Sequence, residues 1–133
     1  MNAKQYYLSI KDDREGWSRS VPQSCMWCGS SFGRMDTHEI VRKSQASKSW
    51  GHRCNYLKLG GSLSSCNCHE KHFSTMPLAR QLAVKWLNDR KHFDFEKWLE
   101  IRGRGDVELI DVIREIQHLK LVSMSLKKKG LAF

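Results

Sequence analysis

Apolar and polar positions divide this chain into three stretches. The first, residues 1–24, has no clear period, and only Tyr6-Tyr7-Leu8 stands out, as a short strand or anchor. The second is made of short runs. Met35-Asp36-Thr37-His38-Glu39-Ile40-Val41 reads as a strand, with Met35 and Thr37 alternating as one buried face requires. A polar, basic stretch over residues 42–53 is too long for a hairpin turn and leads to a second strand, Cys54-Asn55-Tyr56-Leu57-Lys58-Leu59. Gly60-Gly61-Ser62-Leu63-Ser64-Ser65 is a flexible lead-in to Cys66-Asn67-Cys68-His69-Glu70-Lys71-His72-Phe73, where a helix can begin.

The third stretch, residues 76–133, has helical periodicity. Pro77 suits a first helical turn, and Leu78, Leu82 and Trp86 repeat at helical spacing until Asn88-Asp89. A second helix over Asp94–Ile101 would bury Phe95, Trp98 and Leu99, and Gly103-Arg104-Gly105 would break it. Asp106 is placed to cap a longer helix carrying Val107, Ile110, Ile113, Ile116 and Leu119, with Leu109, Val112 and Leu121 on its apolar face. The run Lys127-Lys128-Lys129 reads as a frayed basic end.

Composition narrows the classes. The chain is 40% hydrophobic and 28% charged over 133 residues, unlike a disordered polyelectrolyte. No apolar run approaches the ~18 residues of a membrane span, and Met1–Ile10 lacks a signal peptide's apolar core. The expectation is a soluble protein of the cytoplasm. Its net charge of +9 points to nucleic acid or an acidic surface as partner. Residues 25–75 carry seven basic and three acidic side chains.

The cysteines change the picture more. All five (Cys25, Cys28, Cys54, Cys66 and Cys68) lie in the middle stretch, with four of the six histidines. An odd number cannot pair fully into disulfides, and a reducing compartment favours thiols or metal. Cys25-x-x-Cys28 and Cys66-x-Cys68 are spaced to direct sulfurs at one tetrahedral zinc, whose Zn–S bonds are ~2.3 Å. Gly29 permits the tight bend that follows the first pair.

A strand with a histidine, a long loop, an asparagine before a second strand and a cysteine-histidine on a helix follow in order. The matching residues are Cys25-x-x-Cys28-Gly29, His38-Glu39-Ile40, Asn55-Tyr56-Leu57-x-Leu59 and Cys68-His69. This order over residues 25–73 resembles the HNH endonuclease family, most of all the small members common in bacteriophages and bacteria. The resemblance implies an α+β fold: a ββα-metal finger with a structural zinc, followed by a helical C-terminal region. It divides the chain into an N-terminal extension (1–24), a nuclease core (25–75) and the helical region (76–133).

The resemblance also implies roles. His69 becomes the helix ligand of a catalytic divalent ion such as Mg²⁺, Mn²⁺ or Ni²⁺, and Asn55 the amide that orients the base. Two registers remain open on the first strand. Aligning Ile40 with the family's isoleucine makes His38 a metal ligand and Glu39 the base; we prefer it for the Met35/Thr37 alternation. Sliding by one makes His38 the base, with Asp36 compensating for Thr37 as ligand. The second cysteine pair departs from the family's Cys-x-x-Cys-His, since Ser65 stands where a cysteine is expected. Cys66 supplies the fourth zinc ligand from a shifted position, Cys54 replaces it, or zinc binding is weakened. His72 is a further candidate ligand.

The function expected is hydrolysis of phosphodiester bonds in DNA, by nicking or double-strand cleavage, with RNA not excluded. Arg42, Lys43, Lys48 and Arg53, with Lys58, are the expected phosphate contacts. The alternative is a zinc-bearing nucleic-acid-binding module that has lost catalysis. The helical region is a candidate attachment to a larger phage or bacterial machine.

Overall fold

Two five-residue strands, β1 (Met35–Glu39) and β2 (Tyr56–Gly60), pair antiparallel at the centre of the molecule, His38 opposite Leu57 and Asp36 opposite Leu59. The computed structural model describes residues 3–41, 52–102 and 107–128. Helix α1 (Ala3–Ser20) precedes the sheet, and a four-residue helix α2 (Cys68–Lys71) follows it. Then come α3 (Leu78–Asn88), α4 (Phe95–Arg102) and α5 (Leu109–Lys128). The architecture is thus mixed α+β with a two-stranded antiparallel sheet.

Strand β2 is buried along its whole length, whereas β1 is half-buried. The reason is that residues alternate between faces and both faces of β2 are covered. Trp17 of α1, fully buried, lies 5.5 Å from the Tyr56 ring. Lys58, next on that face, is 1% exposed and donates its ammonium to the Ser18 carbonyl. This corrects the expectation of a phosphate contact: its aliphatic stem fills the space under α1 and its charge is spent on a helix terminus. Leu57 and Leu59, of the opposite parity, join the same hydrophobic core, which extends to Phe73, Leu82, Trp98, Val112 and Leu119.

The first stretch corrects a second expectation. Tyr6-Tyr7-Leu8 lies inside α1 and forms no strand. Tyr7, Ile10, Arg14, Trp17 and Val21 recur at three- and four-residue intervals, a helical period that the adjacent tyrosines hide. Residues 53–55 form a 3₁₀ turn before β2, and Ile40 and Val41, expected in β1, follow it as buried extensions. Helices α3 and α4 lie where their periodicity placed them, and Trp98 is fully buried. Asp106, the expected cap, falls outside the described residues, and α5 begins at Leu109. It packs on α3 and buries Val112 and Leu119, while Leu109, Ile110, Ile113 and Leu121 stay exposed. No described helix is long and apolar enough to cross a membrane.

Candidate metal centre and adjoining histidine site

The two cysteine pairs meet. The sulfurs of Cys25, Cys28, Cys66 and Cys68 all lie within 4.8 Å of one another. A tetrahedral ion with ~2.3 Å bonds wants sulfurs roughly 3.8 Å apart, so the donor set and its spacing fit zinc with little contraction. Cys25 N–H donates to Ser30 O and Gly29 N–H to Cys25 O, both at 2.8 Å, which closes the first turn. Gly29 adopts φ +81°, the left-handed conformation that glycine enters freely. Met26 N–H donates to Lys58 O at 2.8 Å and ties this knuckle to β2.

The shorter second pair works by a different device. Asn67 stands between its cysteines at φ 47°, a left-handed conformation that asparagine tolerates better than most side chains. That turn brings Cys66 and Cys68 to one side across a single residue. Cys66 is therefore the fourth member of the cluster. Cys54 is buried elsewhere, beside His52 at 3.1 Å, and burial pushes its thiol up to about 12. Within the cluster, burial resists ionisation of Cys66, yet the Cys68 N–H, the Ser64 hydroxyl and neighbouring thiols draw it down to about 6. Cys28 and Cys68 are held upward, chiefly by burial. One thiolate forms readily, and further negative charge in so small a space requires a cation among the sulfurs.

The glycine pair after β2 carries a signal that composition concealed. A Cβ on Gly60 would stand 2.3 Å from the Cys66 sulfur, and one on Gly61 would stand 2.3 Å from an Asp36 carboxylate oxygen. Neighbouring residues face opposite ways, so each glycine clears one of two sites. Gly60→Ala is expected to weaken zinc binding by roughly tenfold or more, and Gly61→Ala to leave it at the wild-type value. Competition with a chromophoric chelator measures both; equal affinities for the two variants would contradict this division.

The second site lies on the face of β1 that carries Asp36 and His38. His69 of α2 donates from Nδ1 to Asp36 Oδ2 at 3.1 Å. Its Nε2 stands 3.0 Å from His38 Nδ1, and the far nitrogen of His38, Nε2, is 2.7 Å from Gln81 Oε1. Phe73 packs against the His38 ring at 5.7 Å between centroids. An open pocket of about 440 Å³ is lined by Asp36, His38, Glu39, Asn67, His69 and Glu70 among others.

The remaining expected site residues divide. Glu39 lines the pocket, but strand pairing places it with Tyr56 on the other face, where its carboxylate accepts from Arg14 at 2.6 Å. Asn55 is fully buried; its side chain accepts from Val41 N–H at 2.8 Å and donates to Val41 O at 2.9 Å, so it clamps the chain where β1 ends. His72 packs on Trp27 at 5.8 Å. Arg53 donates to Asp13 of α1 at 2.9 Å. Arg42, Lys43 and Lys48 lie outside the described residues.

Two members of the site escaped the sequence. Asp36 entered only as a substitute ligand, though its spacing of two from His38 on a strand puts both on one face. Gln81 left no local signal. Compared with protein-family models, curated proteins and solved structures, the chain matches none.

Proposed function

We propose that this protein is a metal-dependent endonuclease of the HNH type that hydrolyses DNA phosphodiester bonds, its four-cysteine centre holding a structural zinc. The observation that supports it best is the approach of His38 Nδ1 and His69 Nε2 to 3.0 Å in an open pocket, their outer nitrogens already taken up by Gln81 and Asp36. Two imidazole nitrogens held this way form a seat for a cation, since a ligating histidine generally donates its other N–H to an acceptor nearby.

His38 and His69 would hold a divalent ion such as Mg²⁺, Mn²⁺ or Ni²⁺, which supplies positive charge against the oxygens of the phosphate under attack. Asp36 keeps the His69 ring in place. Glu39, which lines the pocket from the other face of β1 and is paired with Arg14 at 2.6 Å, is the base that the preferred register names. Asn55 acts through the backbone, fixing the end of the strand that bears His38 and Glu39. Arg42, Lys43 and Lys48, which follow β1 in the sequence, would supply charge to the DNA backbone, contacts that carry affinity without sequence reading.

Incubation of supercoiled plasmid with each divalent ion tests the reading. Wild type is expected to relax or linearise the plasmid, and His38→Ala and His69→Ala to lose roughly 10²–10⁴-fold in rate with zinc content unchanged. Cleavage undiminished in both variants would sink the assignment. The Arg14–Glu39 ion pair favours a second reading, a zinc module that binds nucleic acid without cutting it; salt-dependent DNA binding with no cleavage under any of the three ions would establish that one instead.

A further inference from the structure

The helical region reaches into the histidine site through a single side chain. Gln81 sits on α3, 4% exposed, forty-three residues along the chain from His38. Its amide is held at both ends. Gln81 Nε2 donates to the Met76 carbonyl at 2.8 Å, and Gln81 Oε1 is 2.7 Å from His38 Nε2.

With both rings neutral, the donors and acceptors in this chain of contacts leave one arrangement, in which two lone pairs face each other across 3.0 Å where a cation would sit. A backbone carbonyl only accepts, so the amide NH₂ must face Met76 and the amide oxygen must face His38. An amide oxygen also only accepts, so His38 Nε2 must carry a hydrogen. In the neutral ring the proton is then absent from Nδ1, the nitrogen 3.0 Å from His69. His69 is fixed in the opposite sense, because the Asp36 carboxylate accepts from its Nδ1 and leaves Nε2 toward His38. A neutral imidazole would otherwise populate both tautomers, and only one presents Nδ1 as a lone pair.

We infer that Gln81 is a positioning residue that locks His38 in the Nε2–H tautomer and thereby presents Nδ1 to the pocket. It acts from outside residues 25–75, so the helical region is part of the site and not an appendage to it. The orienting role that the resemblance assigned to Asn55 is thus divided. Asn55 fixes the backbone by its two bonds to Val41, and Gln81 fixes the ring. The inference rests on the reading of His38 as a functional nitrogen, yet the tautomer can be observed without any turnover.

Long-range ¹H–¹⁵N correlation spectra of the zinc-loaded protein, free of other divalent ions, read it directly. His38 in the wild type is expected to carry its proton on Nε2. Gln81→Met keeps the length and helix preference of the side chain but removes the acceptor; the Nδ1–H form should then become populated. Gln81→Glu restores the acceptor oxygen toward His38 but not the donor to Met76, and should restore the Nε2–H form. Mn²⁺ affinity, measured on the same samples, is expected to fall 10–100-fold in Gln81→Met and to recover in Gln81→Glu. A neutral wild-type His38 protonated on Nδ1 and not on Nε2, or a Gln81→Met spectrum identical to wild type, would overturn the inference. Plasmid cleavage is scored apart: a protein that never cuts DNA but shows the lock, and loses it in Gln81→Met, upholds the role of Gln81 while removing the nuclease reading.

Discussion

Stripping zinc from the four-cysteine centre is expected to unfold the middle of this protein, and purified wild type is expected to carry one zinc per chain. The first knuckle joins β2 through Met26 N–H to Lys58 O, and the second starts the helix that bears His69. Neither hairpin nor helix is stable by itself: the sheet has two five-residue strands and α2 has four residues. Binding energy at such a centre is folding energy, on the order of 10 kcal/mol or more for structural zinc at neutral pH. A chelator of high affinity should therefore abolish the dispersed methyl and amide NMR signals of residues 25–41 and 52–75. Cys28→Ser and Cys66→Ser should bring the zinc content close to zero. Cys54→Ala should keep the full equivalent, since its sulfur lies outside the cluster. Loss of zinc in Cys54→Ala, with retention in Cys66→Ser, would reverse the ligand assignment.

The second large effect belongs to a buried ion pair. Asp89, 7% exposed, accepts from Lys85 Nζ at 2.6 Å, Trp17 Nε1 at 2.7 Å and His92 Nδ1 at 2.8 Å. Lys85, fully buried, also donates to Tyr56 O at 2.7 Å and lies 4.6 Å from the Trp17 ring. One carboxylate thus binds α1 and α3 to the sheet. Asp89→Asn is expected to cost about 3–5 kcal/mol, because it leaves the Lys85 ammonium in the core without its counter-charge. Glu100→Gln, at an exposed pair with Lys97, should cost less than about 1 kcal/mol. Urea melts of the zinc-loaded variants measure both, and equal midpoints would refute the contrast.

The same pair sets an acid dependence. Burial opposes ionisation of Asp89, but Lys85, Trp17 and His92 outweigh it and hold the carboxyl below its usual value. A depressed folded value means that the unfolded chain binds the proton more readily. The stabilisation is complete above the ordinary carboxylate range near ~4 and disappears as pH falls through the lower, folded value. Stability of Asp89→Asn should accordingly fall less steeply than that of wild type over this acid range.

Local chemistry was legible wherever the constraint lay within a few residues. Cys25-x-x-Cys28-Gly29 already contained its turn, and the observed φ of Gly29 is what that bend needs. Helices α3 and α4 followed from apolar spacing, because burial against one core imposes the 3.6-residue period directly on sequence. Pattern failed where one residue type serves two uses. Gly60-Gly61 has the composition of a flexible linker, but each glycine is required by an atom that approaches from a distant segment. Lys58 reads as a surface cation and is buried because α1 folds over it.

The chain's own order of residues determined the two cysteine pairs, the strand with His38, the helix start at His69 and the helical third, since each depends on neighbours in sequence. Tertiary structure alone decided that Cys66 joins the cluster and Cys54 does not. It also decided that Glu39 faces Arg14 while Asp36 faces His69, and that Gln81 holds His38. These choices depend on distance in space between atoms that periodicity and spacing do not relate. A hydrogen bond across forty-three residues leaves no trace in either.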